Sequence, residues 1–255
     1  MYLAFIIGTA GSGKSLLTAS FSTWLSEQGV DVVKVNLDPG ALYLPYTPDV
    51  DIRERIVVEE IMEEYGLGPN GSLILAADMM VNEIEELEEE IMSFHPDLVL
   101  VDTPGQMELF AFRASGPFIV KSLTKEPKAI VYLFDAVFSL NPLNYVSNLF
   151  LSAAVHIRFG IPQIHVLTKS DLLPKERLEE VLSWSEDVEA LEEAIDSRLK
   201  GMSHALSRDL SMAIHSLELG FTLMAVSAKT FDGFLNLNAA LERALSQGDK
   251  YVEAP

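Results

Sequence analysis

The sequence contains no cysteine among its 255 residues. Disulfides, iron–sulfur clusters and thiolate zinc sites are therefore excluded, and the composition fits a reducing interior. Basic residues are scarce: 18 Lys and Arg stand against 38 Asp and Glu, a formal net charge of −20. Gripping a nucleic-acid backbone needs Lys and Arg to displace counterions, so no direct nucleic-acid partner is expected. Long hydrophobic runs are missing too. No apolar stretch approaches the roughly 20 residues that span a bilayer. The apolar start, Met1 to Gly8, is short and has no basic leader, so neither a signal peptide nor a membrane partner is expected. The sequence predicts a soluble, cytoplasmic protein. Its acidity reads first as solvated helix faces, and second as a docking face for a basic partner.

What is present is ample hydrophobic material, 49% of the chain. Apolar runs alternate with helical patterns, the sign of a parallel sheet with crossover helices. Strands are predicted at Leu3–Ile7, Val30–Val35, Leu98–Val101, Ala129–Phe134, Gln163–Leu167 and Leu223–Val226. Most are continuously apolar, as strands covered on both faces are. Helices are predicted at Lys14–Glu27, Glu83–Met92 and Glu179–Leu199, the last two with apolar stripes and acidic outer faces. The expected fold is a doubly wound α/β P-loop domain spanning residues 1–255, with a largely parallel sheet. A helical insertion is expected at about 175–220, before the last strand. No internal repeat or long linker interrupts the chain.

Between the first strand and the first helix stands Gly8-Thr9-Ala10-Gly11-Ser12-Gly13-Lys14-Ser15. This matches G-x-x-x-x-G-K-[ST] in the strand-to-helix context the motif requires. Gly8, Gly11 and Gly13 let the backbone, Ser12 included, wrap phosphates with its N–H groups inward. Lys14 would reach the β- and γ-phosphates, the Ser15 hydroxyl would bind Mg²⁺, and the helix would aim its positive end at the anion. The spacing does not fit the dinucleotide-binding G-x-G-x-x-G.

Asp102-Thr103-Pro104-Gly105-Gln106 ends the third predicted strand. A carboxylate at such a tip lies on the ligand edge of the sheet, where Asp102 would hold Mg²⁺ through its water shell. Gly105 would offer its N–H to the γ-phosphate, and Gln106 would orient the attacking water. A second acid, Asp38, ends the second strand in Asp38-Pro39-Gly40. It reads either as a plain turn residue or as a switch residue near the γ-phosphate, acting as water acceptor or through the water shell of the metal. Asp38 and Gln106 are not ranked by sequence.

Thr168-Lys169-Ser170-Asp171 follows the fifth predicted strand. It fits [NT]-K-x-D, with Thr where Asn is commoner. The Asp171 carboxylate would accept from guanine N1–H and the 2-amino group. Adenine offers neither donor there and would leave the acid unpaired, which makes the discrimination strong. The Lys169 stem can pack on the base. Ser227-Ala228-Lys229 follows the last strand, where a backbone N–H would meet guanine O6.

Gly68-Pro69-Asn70 lies between the second strand and Asp102. As physics alone it is three turn formers that need no function. Taken with the four motifs above, it closely resembles the signature of the GPN-loop GTPases. Asn36-Leu37-Asp38-Pro39, Tyr43-Leu44-Pro45-Tyr46 and Asp49-Val50-Asp51-Ile52-Arg53 are similar to that family as well, and the likeness spans the chain. Its cysteine-free form looks most like archaeal members. One departure is Gly40, where the family leads one to expect Ala.

The resemblance implies an insertion at about 41–95 carrying the loop, GTP hydrolysed to GDP with Mg²⁺, and a homodimer. In that dimer each Asn70 would reach the partner's phosphate site and stabilise charge there in trans. Eukaryotic relatives take part in RNA polymerase assembly, so protein clients such as RNA polymerase subunits are implied as partners. Competing readings are a GTP-binding scaffold with little turnover, a small-molecule kinase and a P-loop metallochaperone. The last would need clustered ligands, whereas the sequence offers only His95, His156, His165, His204 and His215, with no close pair.

Overall fold

The computed structural model describes residues 1–198, 200–215 and 222–246. Its centre is a seven-stranded sheet in which every pairing is parallel. The strands are β1 (Tyr2–Gly8), β2 (Val32–Asn36), β3 (Val50–Asp51), β4 (Leu98–Asp102), β5 (Lys128–Asp135), β6 (Gln163–Thr168) and β7 (Leu223–Ala225). They lie in the order β3-β2-β4-β1-β5-β6-β7. The chain winds outward through β2 and β3, returns to set β4 beside β1, then winds the other way through β5 to β7. Ligands of open α/β sheets bind at such a reversal, beyond the carboxyl ends of the strands.

Register decides which residues stand at that edge. Asn36 pairs with Asp102 and Asp135 pairs with Thr168, so polar residues end two neighbouring strand pairs, β2–β4 and β5–β6, on either side of β1. Below them the side chains sort by the two-residue period of a strand. Leu3, Phe5 and Ile7 enter one core layer. Ala4 and Ile6 enter the other, beneath α1 (Lys14–Glu27) and α11 (Phe234–Ser246). There Phe21 meets Phe234 edge-to-face with centroids 5.2 Å apart, a pairing worth about 1 kcal/mol beyond its area.

The first helix is present with its predicted bounds, Lys14–Glu27, and the predicted strands are present with shifted ends. Val30 stays out of β2 because its N–H bonds Leu25 O and closes the end of α1. The two-residue strand β3 was not expected. The helix predicted over Glu179–Leu199 is two helices, α8 (Lys175–Glu186) and α9 (Val188–Arg198). Asp187 breaks it: its backbone is extended and its Oδ1 accepts the Glu189 N–H, starting a new helix. The helix α10 (Gly201–His215) follows. Leu199 and the predicted end of this insertion, residues 216–220, lie outside the described residues.

The segment between β3 and β4 is helical. It holds α2 (Val58–Tyr65), α3 (Pro69–Met79) and α4 (Ile84–Ser93); α5 (Met107–Ala111) and α6 (Ser115–Ser122) follow β4, and α7 (Pro142–Phe159) lies between β5 and β6. Gly68-Pro69-Asn70 is therefore less a loop than a helix start. Gly68 is the cap and Pro69 the first helical residue, where its missing N–H is not needed.

Candidate functional site

Residues 9–13 turn between β1 and α1. Gly11 and Gly13 hold φ of 77° and 96°, a left-handed backbone that side chains disfavour. Lys14, 6% exposed, curls back over this turn. Its Nζ donates to Gly8 O at 2.9 Å, Thr9 O at 3.2 Å and Gly105 O at 3.3 Å. Burial holds its ammonium below the usual lysine range, against the opposing pull of Asp102, Asp38 and Glu108. The lysine thus already joins the first loop to the Asp102–Gln106 segment.

Asp102 is 1% exposed. Burial raises its pKa to about 6, although Ser15, Tyr46 and Lys14 all favour the charged form. The Tyr46 hydroxyl donates to Oδ2 at 3.0 Å, while the buried Oδ1 has no partner in full hydrogen-bond geometry, the Ser15 hydroxyl only approaching the carboxylate. A buried carboxylate oxygen left bare beside the Ser15 hydroxyl fits a hard cation that takes oxygen ligands, and Mg²⁺ is such a cation. Among the described residues, no three acids or histidines converge as a metal site. An ion here would therefore complete its shell with phosphate oxygens and water.

Asp38 settles between β2 and Gly105. Its Oδ2 accepts the Gly105 N–H at 2.7 Å and its Oδ1 accepts the Gly40 N–H at 3.0 Å. The backbone donor expected to face a γ-phosphate is thus bonded to a carboxylate in this structure. Asn36 steadies Asp38, accepting its N–H at 3.0 Å and donating to Asp51 at 2.8 Å. Asp51 in turn binds Arg53, whose Nη1 donates to Ala41 O at 2.8 Å. Gln106 is exposed and lines a cleft with Ala10, Asp38, Gly40, Leu73 and Gly105. At Gly40 a Cβ would stand 2.5 Å from Leu73 Cδ2. The glycine lets α3 pack against the Asp38 turn, and an alanine there would push Leu73 aside.

The base side is assembled from the tips of β6 and β7. Thr168 Oγ1 is buried within reach of Ser12 O at 2.7 Å and Phe134 O at 3.1 Å. Threonine therefore clasps the phosphate loop from the Asn position of the motif. The Ser227 hydroxyl donates to Asp171 Oδ1 at 2.8 Å and accepts from the N–H groups of Lys229 and Thr230. Gly13, Leu16, Thr168, Lys169, Asp171, Leu172, Ala228 and Lys229 line one pocket. Two of these walls, Leu16 and Leu172, are exposed leucines that sequence reading passed over. Their only sequence signal is an apolar residue on the outer side of a motif.

Sequence reading also missed roles for Tyr46 and for Asp135, which holds Lys169 at 2.5 Å. The structure does not bring Gly68, Pro69 and Asn70 into this cluster. All three are exposed at the head of α3, and among the described residues the Asn70 side chain makes no hydrogen bond.

Comparisons with known proteins agree with this geometry. A family model described as a conserved hypothetical ATP binding protein matches residues 6–247. The GPN-loop GTPase PAB0955 of Pyrococcus abyssi is 34% identical over 97% of this chain and 99% of its own length. The GPN-loop GTPase 1 of Saccharomyces cerevisiae is 29% identical over 97% of this chain, which spans 66% of that longer protein. For the Dictyostelium discoideum GPN-loop GTPase 1 the figures are 30%, 89% and 57%. Among solved structures, that of PAB0955, described as a GTPase in apo form, superposes with a TM-score of 0.83. It is 33% identical, over 95% of this chain and 97% of that one.

Proposed function

This chain belongs to the GPN-loop GTPase family, and on that footing we propose that it is a Mg²⁺-dependent GTP hydrolase acting as a homodimeric switch. The observation that carries the guanine reading is the Asp171–Ser227 pair. The carboxylate is already oriented by a hydroxyl and stands in a pocket beside the phosphate loop. Adenine would leave that carboxylate facing no donor. This favours GTP over the ATP named in the description of the matching family model.

On the phosphate side, Lys14 would exchange its carbonyl partners for phosphate oxygens, with the N–H groups of residues 11–15 closing around them. Ser15 and Asp102 would hold the ion, which would supply positive charge to offset that on the phosphates. Asp38 and Gln106 flank the cleft where a water would attack. Asp38 retains lone pairs that could accept a hydrogen bond from that water, and letting go of the Gly105 N–H would free that donor for a γ-phosphate.

Support for the dimer comes from the surface around the family loop. Leu42 is 94% and Tyr43 83% exposed, with Tyr65 and Leu67 also exposed; Leu42 shares a groove with Pro69, and exposed apolar surface is a mark of interfaces. Asn70 would act in the partner's site. Asn70→Ala should slow GTP turnover about tenfold to a hundredfold with GTP affinity near normal. Unchanged turnover in that variant rules out the trans role. Among the described residues no helix is long and apolar enough to cross a membrane, in keeping with a cytoplasmic enzyme. Clients would be proteins under assembly, RNA polymerase subunits among them, a reading that rests on analogy within the family.

The test is phosphate release from Mg·GTP and Mg·ATP over a range of protein concentrations. GTP-selective turnover whose specific rate rises with concentration is expected. GTP bound stoichiometrically without turnover would instead make the protein a scaffold.

A further inference from the structure

The tip of β5 carries a carboxylate that neither the phosphate loop nor the guanine motif accounts for. Asp135 pairs in register with Thr168, one residue from Lys169. Its Oδ2 accepts from Lys169 Nζ at 2.5 Å and its Oδ1 accepts the Phe138 N–H at 3.0 Å. The lysine makes a second bond, from Nζ to Gly11 O at 2.7 Å. Its backbone is left-handed, with φ 60°, which turns the side chain back over the phosphate loop. A Cβ on Gly13 would stand 4.0 Å from Lys169 Cε, so the aliphatic stem runs along that loop and forms a wall of the base pocket.

We infer that Asp135 is a positioning residue of the guanine site, fixing Lys169 in the posture that lays its stem along the base pocket and ties that wall to the phosphate loop. The inference rests on the guanine reading above. A free lysine would lose most of its rotamer freedom when a base stacks on it. Held at both Asp135 and Gly11, it has lost that freedom on folding, so binding is opposed by less entropy. The competing explanation is local: Oδ1 serves only to hold the turn from Asp135 to Phe138 by accepting the Phe138 N–H. Asparagine separates the two, because it keeps an acceptor for the Phe138 N–H and removes the charge that attracts the ammonium. Alanine removes both.

Dissociation constants for GDP, ADP and tripolyphosphate, all with Mg²⁺, test this in the full chain. The set is wild type, Asp135→Asn, Asp135→Ala, Lys169→Ala and the double variant Lys169→Ala with Asp135→Asn. Asp135→Asn is expected to weaken GDP about tenfold, with tripolyphosphate affinity and the unfolding midpoint close to wild type. The double variant should bind GDP no more weakly than Lys169→Ala alone, since Asp135 acts through the lysine. Wild-type GDP affinity in Asp135→Asn overturns the inference. So do equal losses on GDP and tripolyphosphate, or additive losses in the double variant. If Asp135→Ala fails to fold, Asp135→Asn alone decides. A wild-type protein that binds ADP as tightly as GDP overturns the guanine reading itself, and this inference with it.

Discussion

The two ends of the nucleotide cleft are organised differently. At the base end every polar group that would read guanine is already aimed. Asp171 is held by Ser227, Thr168 by the phosphate loop, and Lys169 by Asp135 and Gly11. At the phosphate end the groups are bonded to one another. Lys14 faces backbone carbonyls, Asp38 covers the Gly105 N–H, and Asp102 keeps one buried oxygen bare. Specificity therefore sits on a preformed surface, where a wrong base meets unpaired groups. Chemistry sits where bonds must be exchanged before a triphosphate is gripped, which is what the proposed switch between two states differing at the γ-phosphate would need.

Variants can break this contrast. The largest effect is expected from Lys14→Ala, which removes the exchangeable cation. GTP turnover should fall about 10³-fold, read by phosphate release. A loss of less than tenfold would mean that the lysine's carbonyl contacts are its main role. Next comes Asp171→Asn. The carboxamide presents an N–H where guanine presents its own donors, so GDP affinity should fall about 10²-fold or more. Xanthosine diphosphate, which carries an acceptor at that position, should bind better than to wild type. Unchanged GDP affinity in a titration would show that the base end is not the reader.

The strand that carries the guanine motif can be probed by pH. His165 lies in β6 between Tyr132 and Phe134, and burial, then the neighbouring His156, push its pKa down to about 3. An imidazole lowered in the fold binds fewer protons there than in the unfolded chain. Its contribution is therefore complete above about pH 6.5 and is lost as pH falls toward 3. Between pH 7.5 and 5 this amounts to about 2 kcal/mol. Urea unfolding of His165→Gln should show a shallower decline over that range than wild type, and parallel declines would contradict the assignment.

The smallest effect sharpens the phosphate end. Asp38→Asn weakens the bond on the Gly105 N–H by removing its charge. Affinity for a non-hydrolysable GTP analogue should rise a few-fold relative to GDP, even as turnover falls. An unchanged ratio would show that the carboxylate does not compete for that donor.

Much of this was legible in the sequence because its groups are adjacent along the chain or end apolar strands. The phosphate loop is eight consecutive residues, and Asp102 and Asp171 follow runs whose hydrophobicity announces them. What escaped is what depends on distant partners. Asp135 looks like any strand-end acid until Lys169, 34 residues on, folds against it. Tyr46 sits in a segment without periodicity, and its hydroxyl bonds Asp102, 56 residues away. The two-residue β3 is too short for alternation to register. The break at Asp187 carries neither Gly nor Pro, and apolar spacing continues through it. Gly68-Pro69-Asn70 spelled a turn, yet Pro69 opens a helix, because a proline fits a first helical turn as well as it fits a bend.

The three carbonyls around Lys14 carry a thermodynamic consequence. A phosphate does not find a bare cation waiting; it competes with an internal ligand tethered to the same loop. The measured affinity for any nucleotide is then the intrinsic affinity multiplied by the fraction of molecules in which the lysine has let go. Whatever holds the Asp102–Gln106 segment in place, Gly105 O included, sets that fraction, so a contact far from the base can tune GTP and GDP alike without touching the selectivity between guanine and adenine.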